Sequence, residues 1–380
     1  MNLGFLRPLY GETGDYVSVY LDTDRTHENA LTAIELRWQA ARQRLAEAGA
    51  SAASLDAAAA VTGGPAEARG YAVFTRAGAV AFTGTLDAPP RREIARLAPL
   101  PHLMPLLAQR RPPVPHLRVS ATRTGGEIVA IGDAADGGTG QGWRDWVAGQ
   151  QWPVHKTKVG GWSQDRFQRS VEETWDENAK TLAAEVSAVA GRIGAQHVIV
   201  SGDVHARLLL LEHLPTPLRE SAAVVEEEVS ADSQAMADAA DRALAGWAGR
   251  HCRERFDDWQ ARQAHGLAVE GLARTMAAFR NGQVSDLFLA DDPTSTAAAW
   301  VGPVGSDLAS TREELLELDV TAPAADRADA AIVRAVAHTD AELHFLPADL
   351  VETGNPEACG GIARPRDGVC ATLRFSVEGS

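Results

Sequence analysis

Residues 16–23 (YVSVYLDT) alternate along the chain and are rich in β-branched and aromatic side chains, which predicts a strand. A helix follows, with Ile34, Trp38, Ala41 and Leu45 on one face at spacings of four, three and four. The stretch GASAASLDAAAAVTGGP is low in complexity and ends in a turn signal, and GYAVFTRAGAVAF reads as a hairpin around a Gly-containing turn. The Pro-rich stretch from Pro101 to Pro115 closes this first part, with RRPPVP as the linker candidate.

The second part opens with the strand HLRVSAT, a turn at Gly125–Gly126 and the strand EIVAI. A glycine-rich hydrophilic segment runs from Gly132 to Gly142. From Ser163 to about Ile193 an apolar stripe of Phe167, Val171, Leu182, Val186, Val189 and Ile193 predicts a helix about 45 Å long. The strand HVIVSGD, the helix HARLLLLEHL and an exit segment VVEEEV complete an α/β unit. The third part is helix-rich from about Asp232 to Ala264. It continues with a helix LAVEGLARTMAAFRNG capped at Asn281–Gly282, strands VSDLFLA and AAAWVG, a helix DRADAAIVRAVAHT, and strands AELHFLP and GVCATLRF. Strands alternating with helices predict an α/β protein of three domains, residues 1–111, 112–229 and 230–380.

Composition narrows the class. The chain has 380 residues, 45% of them hydrophobic, enough for each domain to have its own core. Its 36 basic and 51 acidic residues give a net charge of −15, which excludes a protein basic all over but not a local basic patch. Cys252, Cys359 and Cys370 lack close pair spacing, which points to a reduced, cytoplasmic setting. No run of 18 apolar residues occurs, so no membrane span is expected.

The chemistry concentrates in residues 155–169. His155, Lys156, Lys158, Arg166 and Arg169 are opposed only by Asp165, a local net of +3 with the histidine neutral. Gly160 and Gly161 allow positive φ and close approach to another surface. Ser163 is a natural helix cap, and a helix start offers N–H groups to phosphate. Trp162 could stack on a base, with Gln164 two positions further on. The plainer alternative is a solvated turn before a helix.

Other motifs carry less. Asp203 and His205 could form an acid–base pair, but a strand-end turn and helix cap explain them more simply. Cys359 and Cys370 with His344 lack metal-ligand spacing. Glu226 to Val229 reads as a solvated strand end, and Trp247, Phe256 and Trp259 as helix core. Gly138 to Gly142 and Gly360–Gly361 lack the Lys-Ser/Thr of a phosphate loop. No cofactor and no metal is implied.

The string HKTKVGGWSQDRFQRSVEE resembles the loop and helix of the archaeal and eukaryotic class-one peptide-chain release factors. Those carry a basic run, Gly-Gly-Gln-Ser and an Arg-Phe pair on the next helix. The matching residues here are Gly160, Gly161, Ser163, Arg166 and Phe167. HLRVSATRTGGEIVAI, IGAQHVIVSGD, RERFDDWQARQ, GLARTMAAFRNGQVSDLFLADD and GGIARPRDGVCATLRF extend the resemblance, in order, over about Pro115 to Phe375. The family's architecture implies an N-terminal α/β domain, an RNase H-like middle domain with a long helix, and a C-terminal ribosomal-protein-like α/β/α sandwich.

Two departures bear on function. Trp162 stands where the family has its catalytic glutamine, and an indole has one donor and no acceptor with which to orient water. Residues 1–111 show no codon-reading motif. The pattern is closer to the bacterial branch of the family, the Balon-like ribosome hibernation factors of actinobacterial type. That resemblance implies a ribosome-binding stress factor that occupies the A site of the 70S ribosome against 23S and 16S rRNA. It also implies elongation factor Tu as carrier and no catalysis. The alternatives are a peptidyl-tRNA hydrolase or rescue factor using Ser163 or Gln164, and an adaptor that never enters the ribosome.

Overall fold

The computed structural model describes residues 1–11, 14–110, 114–132, 143–148, 161–346 and 364–376, with backbone alone for 143–148 and 161–172. The chain is mixed α/β, with four sheets among the described residues. Strands β1 (Tyr16–Asp22), β2 (Gly70–Arg76), β3 (Ala79–Leu86) and β4 (Ile94–Ala98) form an antiparallel sheet ordered β3-β2-β1-β4. The expected hairpin is present. Arg76 pairs with Ala79 across a two-residue turn whose Ala77 and Gly78 both have positive φ, the handedness that suits twisted strands. Helix α1 (Ala30–Glu47) buries Ile34, Trp38, Ala41 and Leu45, as its spacing predicts.

Two segments differ from their sequence reading. The low-complexity stretch contains a helix, α2 (Ala52–Ala59), capped by Ser51 and anchored through Leu55 and Ala58. Small side chains blur its periodicity, yet alanine favours helix. The Pro-rich stretch is not all linker. Its first half forms α3 (Met104–Gln109), with Leu106 and Leu107 buried.

The middle sheet consists of β5 (His116–Thr122), β6 (Gly125–Ile131), β7 (Trp143–Ala148), β8 (His197–Gly202) and β9 (Ala223–Val224). Its order is β7-β6-β5-β8-β9, with β6 antiparallel to its neighbours and β8 and β9 parallel to β5. This is the RNase H-like arrangement that the resemblance implies. Between β7 and β8 runs α4 (Gly161–Ile193), 33 residues and so about 50 Å long. Helices α5 (Val204–His213) and α6 (Thr216–Glu220) follow β8. The expected turn at Gly125–Gly126 lies two residues earlier, at Arg123–Thr124, and both glycines belong to β6. Packing explains Gly126: a Cβ there would lie 2.6 Å from Leu182 Cδ2 of α4 and 2.8 Å from the Ser120 carbonyl oxygen.

Helix α7 (Gln234–Gln263) leads into β10 (Ala268–Glu270), α8 (Leu272–Arg280), β11 (Val284–Leu289), β12 (Ala298–Val301), β13 (Leu308–Ala309), α9 (Arg312–Glu317), β14 (Ala324–Arg327), α10 (Ala328–Thr339), β15 (Glu342–Phe345) and β16 (Val369–Leu373). Sheet β10-β16-β11-β15 has β11 and β15 parallel and its other pairs antiparallel, and β13-β12-β14 form a small antiparallel sheet. The segment expected as one helix, LAVEGLARTMAAFRNG, divides at Gly271. Its φ of +85° ends β10 and starts α8, a turn that a side chain would strain.

By contacts the chain divides into two compact units, residues 112–250 and residues 1–111 with 251–380. In the second unit Leu3, Leu6, Tyr20 and Phe74 share one core with Phe279, Leu287, Ile332 and Val333. Arg96 donates to the buried carboxylate of Asp326, which also accepts from the Leu100 N–H at 2.8 Å. The Met1 amino group donates to the Leu343 carbonyl at 2.8 Å, and Leu343 N–H donates back to Met1. No helix among the described residues is long and apolar enough to cross a membrane.

Candidate functional site

The basic glycine segment meets the fold at the start of α4. His155, Lys156, Lys158 and Gly160 lie outside the described residues. Gly161 is the first residue of α4. Trp162, Ser163, Gln164, Arg166 and Arg169 follow on its first turns, with their side chains outside the description. The helix therefore begins two residues before the expected Ser163.

The other end of α4 fixes where that start can be. Ala179, Leu182, Ala183, Val186, Val189 and Ala190 are buried in one core with Leu117, Val119, Val198 and Leu210. Asn178 begins this buried section and donates from Nδ2 to the Arg123 carbonyl at 2.9 Å. Seventeen residues separate it from Gly161, about 25 Å of helix. A ring of polar contacts surrounds the anchor. Arg123 lies over the Trp175 ring, 4.6 Å from its centroid, and its guanidinium sits 3.0 Å from Asp203. His205 meets Trp175 edge-on at 5.6 Å. Asp176 accepts from His213 at 2.5 Å and from Lys180 at 2.7 Å, and the hydrogen bonds from Lys180 and His213 hold its carboxyl below the usual range.

These contacts settle the minor candidates. Asp203 caps α5, accepting from the His205 and Ala206 N–H groups at 3.0 and 3.1 Å, so its carboxylate is engaged in structure rather than aimed at His205. Phe256 and Trp259 are helix core, as expected, stacked at 5.0 Å. Trp247 is only half-buried and meets His197 edge-on at 4.3 Å. Glu227 and Glu228 are exposed, whereas Glu226 pairs with Arg207. Cys359, Gly138 to Gly142 and Gly360–Gly361 lie outside the described residues.

One cluster carries no motif in the sequence. Asp286, Glu342 and His344 bring ligand atoms within 4.8 Å of one another. Arg255 donates to Asp286 at 2.6 and 3.0 Å, His344 approaches it at 3.1 Å and Ser285 donates at 2.9 Å. Burial works to raise this carboxyl's pKa, but the hydrogen bonds from His344, Ser285 and Arg255 outweigh it and hold the group well below the usual range. The carboxylate is thus already saturated, and the arrangement reads as a structural ion pair. Only its Ser-Asp dipeptide on a strand was visible in the sequence.

Comparisons with known proteins place these elements. Residues 115–265, from β5 into the loop after α7, match the model of the bacterial archaeo-eukaryotic release factor family 2. An uncharacterized protein of Mycobacterium tuberculosis, found in two strains, is 28% identical over 98% of this chain and 96% of its own length. Among solved structures, an archaeal translation termination factor is 16% identical over 98% of this chain and 96% of its own, with a TM-score of 0.25. Archaeoglobus fulgidus Pelota is 14% identical over 82% and 80%, with a TM-score of 0.35.

Proposed function

We propose that this chain, whose residues 115–265 match the model of the bacterial archaeo-eukaryotic release factor family 2, is a ribosome-associated factor that occupies the A site without releasing peptide. The observation that carries this reading is the family match itself, which spans the RNase H-like sheet, the basic glycine segment and the long helix. On this reading α4 carries residues 155–169 toward the peptidyl-transferase centre. Lys156, Lys158, Arg166 and Arg169 neutralise phosphates of 23S rRNA, Gly160 and Gly161 allow close approach, and Trp162 stacks on a base. Occupancy rather than chemistry follows from Trp162, which has no acceptor for the water that a hydrolytic step needs. Elongation factor Tu is the proposed carrier, and protection of idle ribosomes the proposed role.

A second reading, ribosome rescue by peptidyl-tRNA hydrolysis, is kept open by one observation. Ser163 and Gln164 both lie on the first turn of α4, beside the glycine pair.

Co-sedimentation with 70S ribosomes across a salt series tests the first reading. The Lys156→Ala/Lys158→Ala/Arg166→Ala variant should bind more weakly, and the slope of log affinity against log salt should fall by about two to three. Unchanged affinity and slope would remove the loop from the RNA contact. Release of labelled peptide from peptidyl-tRNA on ribosomes separates the two readings. Turnover at the rate of a genuine release factor would establish hydrolysis, and its absence together with co-sedimentation would favour occupancy.

A further inference from the structure

The two faces of the middle sheet differ in chemistry. Leu117, Val119, Ala121, Val198 and Val200 make the apolar face under α4 and α5. The opposite face carries His116 and Arg118 of β5 and His197 and Ser201 of β8, and α7 covers part of it through Met236 and Ala240 against Ile199. His116 and His197 are side by side in the parallel register. Their relative exposures are only 4% and 5%, yet each ring has an Nε2 with no hydrogen-bond partner among the described residues, as does Nε of Arg118. Buried polar atoms normally find partners because leaving them unmet costs stability. This face is therefore more polar than packing alone requires.

Beside His197 the surface opens into a groove of about 550 Å³. It is lined by His197, Val198 and Ile199 of β8 and by residues 221–223. Glu220 of α6 and Arg242, Gly246, Trp247 and Arg250 of α7 also line it. Elsewhere in this unit Arg123, Arg192 and Arg207 each lie against a carboxylate. Arg242 and Arg250 are exposed and have no carboxylate partner among the described residues, in a chain whose net charge is −15. Gly246, between them, places no side chain in the groove. The two arginines are two turns apart, about 12 Å along the helix, so their long side chains can reach one phosphate or two successive ones.

We propose that this groove is a nucleotide-binding site. Phosphate lies between Arg242 and Arg250, a base packs on Trp247, and Glu220 accepts from a ribose hydroxyl or an exocyclic amine. A bare anion would not use the indole wall, the acidic acceptor or the volume, which is that of a small-molecule site. The nucleotide comes either free or as part of a single strand of RNA, and both share this chemistry. The groove lies across the sheet from α4, so its binding is independent of the loop contact proposed above.

The test uses the full chain carrying Lys156→Ala/Lys158→Ala/Arg166→Ala, which removes the loop as a competing site. Fluorescence anisotropy with a labelled adenosine hexanucleotide, and calorimetry with adenosine 5′-monophosphate, measure the two sources. Adding Arg242→Gln/Arg250→Gln should weaken hexanucleotide binding about tenfold or more and reduce its salt slope by about 1.4. Trp247→Leu should weaken both probes about tenfold. Binding of the hexanucleotide alone assigns the groove to an RNA strand, and equal binding of the monophosphate assigns it to a free nucleotide. If neither probe binds at millimolar concentration, or the arginine pair can be replaced without effect, the site does not exist. Should Trp247→Leu fail to fold, the exposed arginine pair decides alone.

Discussion

Asp329 shows what a buried carboxylate does in this chain. Arg327 donates to both its oxygens, at 2.5 to 3.1 Å, and His102 Nε2 lies 3.5 Å away. Burial alone would raise its pKa, but hydrogen bonds from His102 and Arg327 outweigh burial and hold it well below the usual range. Asp286 is depressed in the same way. An unfolded aspartate titrates near about 3.9, so both groups contribute stability that is complete above that value and lost as pH falls toward their folded pKa values. The part of the melting temperature that these two groups supply should stay level from neutral pH down to about 5 and drop below about 4. Asp329→Asn should lower it at neutral pH and shrink the difference between the two conditions. Scanning calorimetry at both pH values checks this, and an Asn variant with parental melting and full acid sensitivity would refute the assignment.

Among elements, α4 packs through a single small residue of the sheet. Gly126 admits Leu182 against β6, and the Ser120 carbonyl closes the remaining space. Gly126→Val should therefore cost about 1–3 kcal/mol, read from urea midpoints at constant slope. A variant as stable as the parent would show that the helix can shift without loss. This packing role was hidden in the sequence, where Gly125–Gly126 looks like a turn. Elements with a clear apolar pattern were legible: α1 and the buried half of α4 show their face in their spacing, whereas β1 and α10 are apolar runs buried nearly all round. Those that failed lacked such a signal. Alanines blur α2, prolines mask α3, and WRDWVA (β7) is short and adjoins a glycine-rich stretch. The loop residues were legible as charge and resemblance alone. The groove was not legible at all, because residues 197, 220, 242, 247 and 250 come from three elements and no local pattern links them.

At the scale of the molecule, residues 1–111 were expected to form a domain by themselves. They have a core of their own, Val17, Val19 and Leu21 of β1 with Trp38, Leu45 and Leu55, and share a second one with residues 251–380, bordered by Arg96 on Asp326 and by Arg7 on Asp340. Residues 112–250 have a separate core. The segment 112–250 expressed alone should unfold cooperatively, whereas the chain lacking residues 1–111 should aggregate or melt well below the parent, because Phe279, Ile332 and Val333 lose their cover. Equal melting temperatures for the deleted and complete chains would contradict the shared core. Experiments on partner binding are therefore better made with point substitutions than with this deletion.

The same shared core sets an order of assembly during synthesis. The first hundred residues leave the exit tunnel long before β15 and α10 exist, so their Leu3, Leu6 and Phe74 lack the part of their cover that residues 251–380 supply. At about 5–20 residues per second the delay is roughly ten to fifty seconds. The middle segment is finished earlier and has a core of its own, whereas the first sheet, covered on one face by α1 and α2, must wait for the residues that complete the other. A nascent chain of this protein is thus a client for chaperones at its N-terminus, and slow codons within the last hundred positions would prolong the wait.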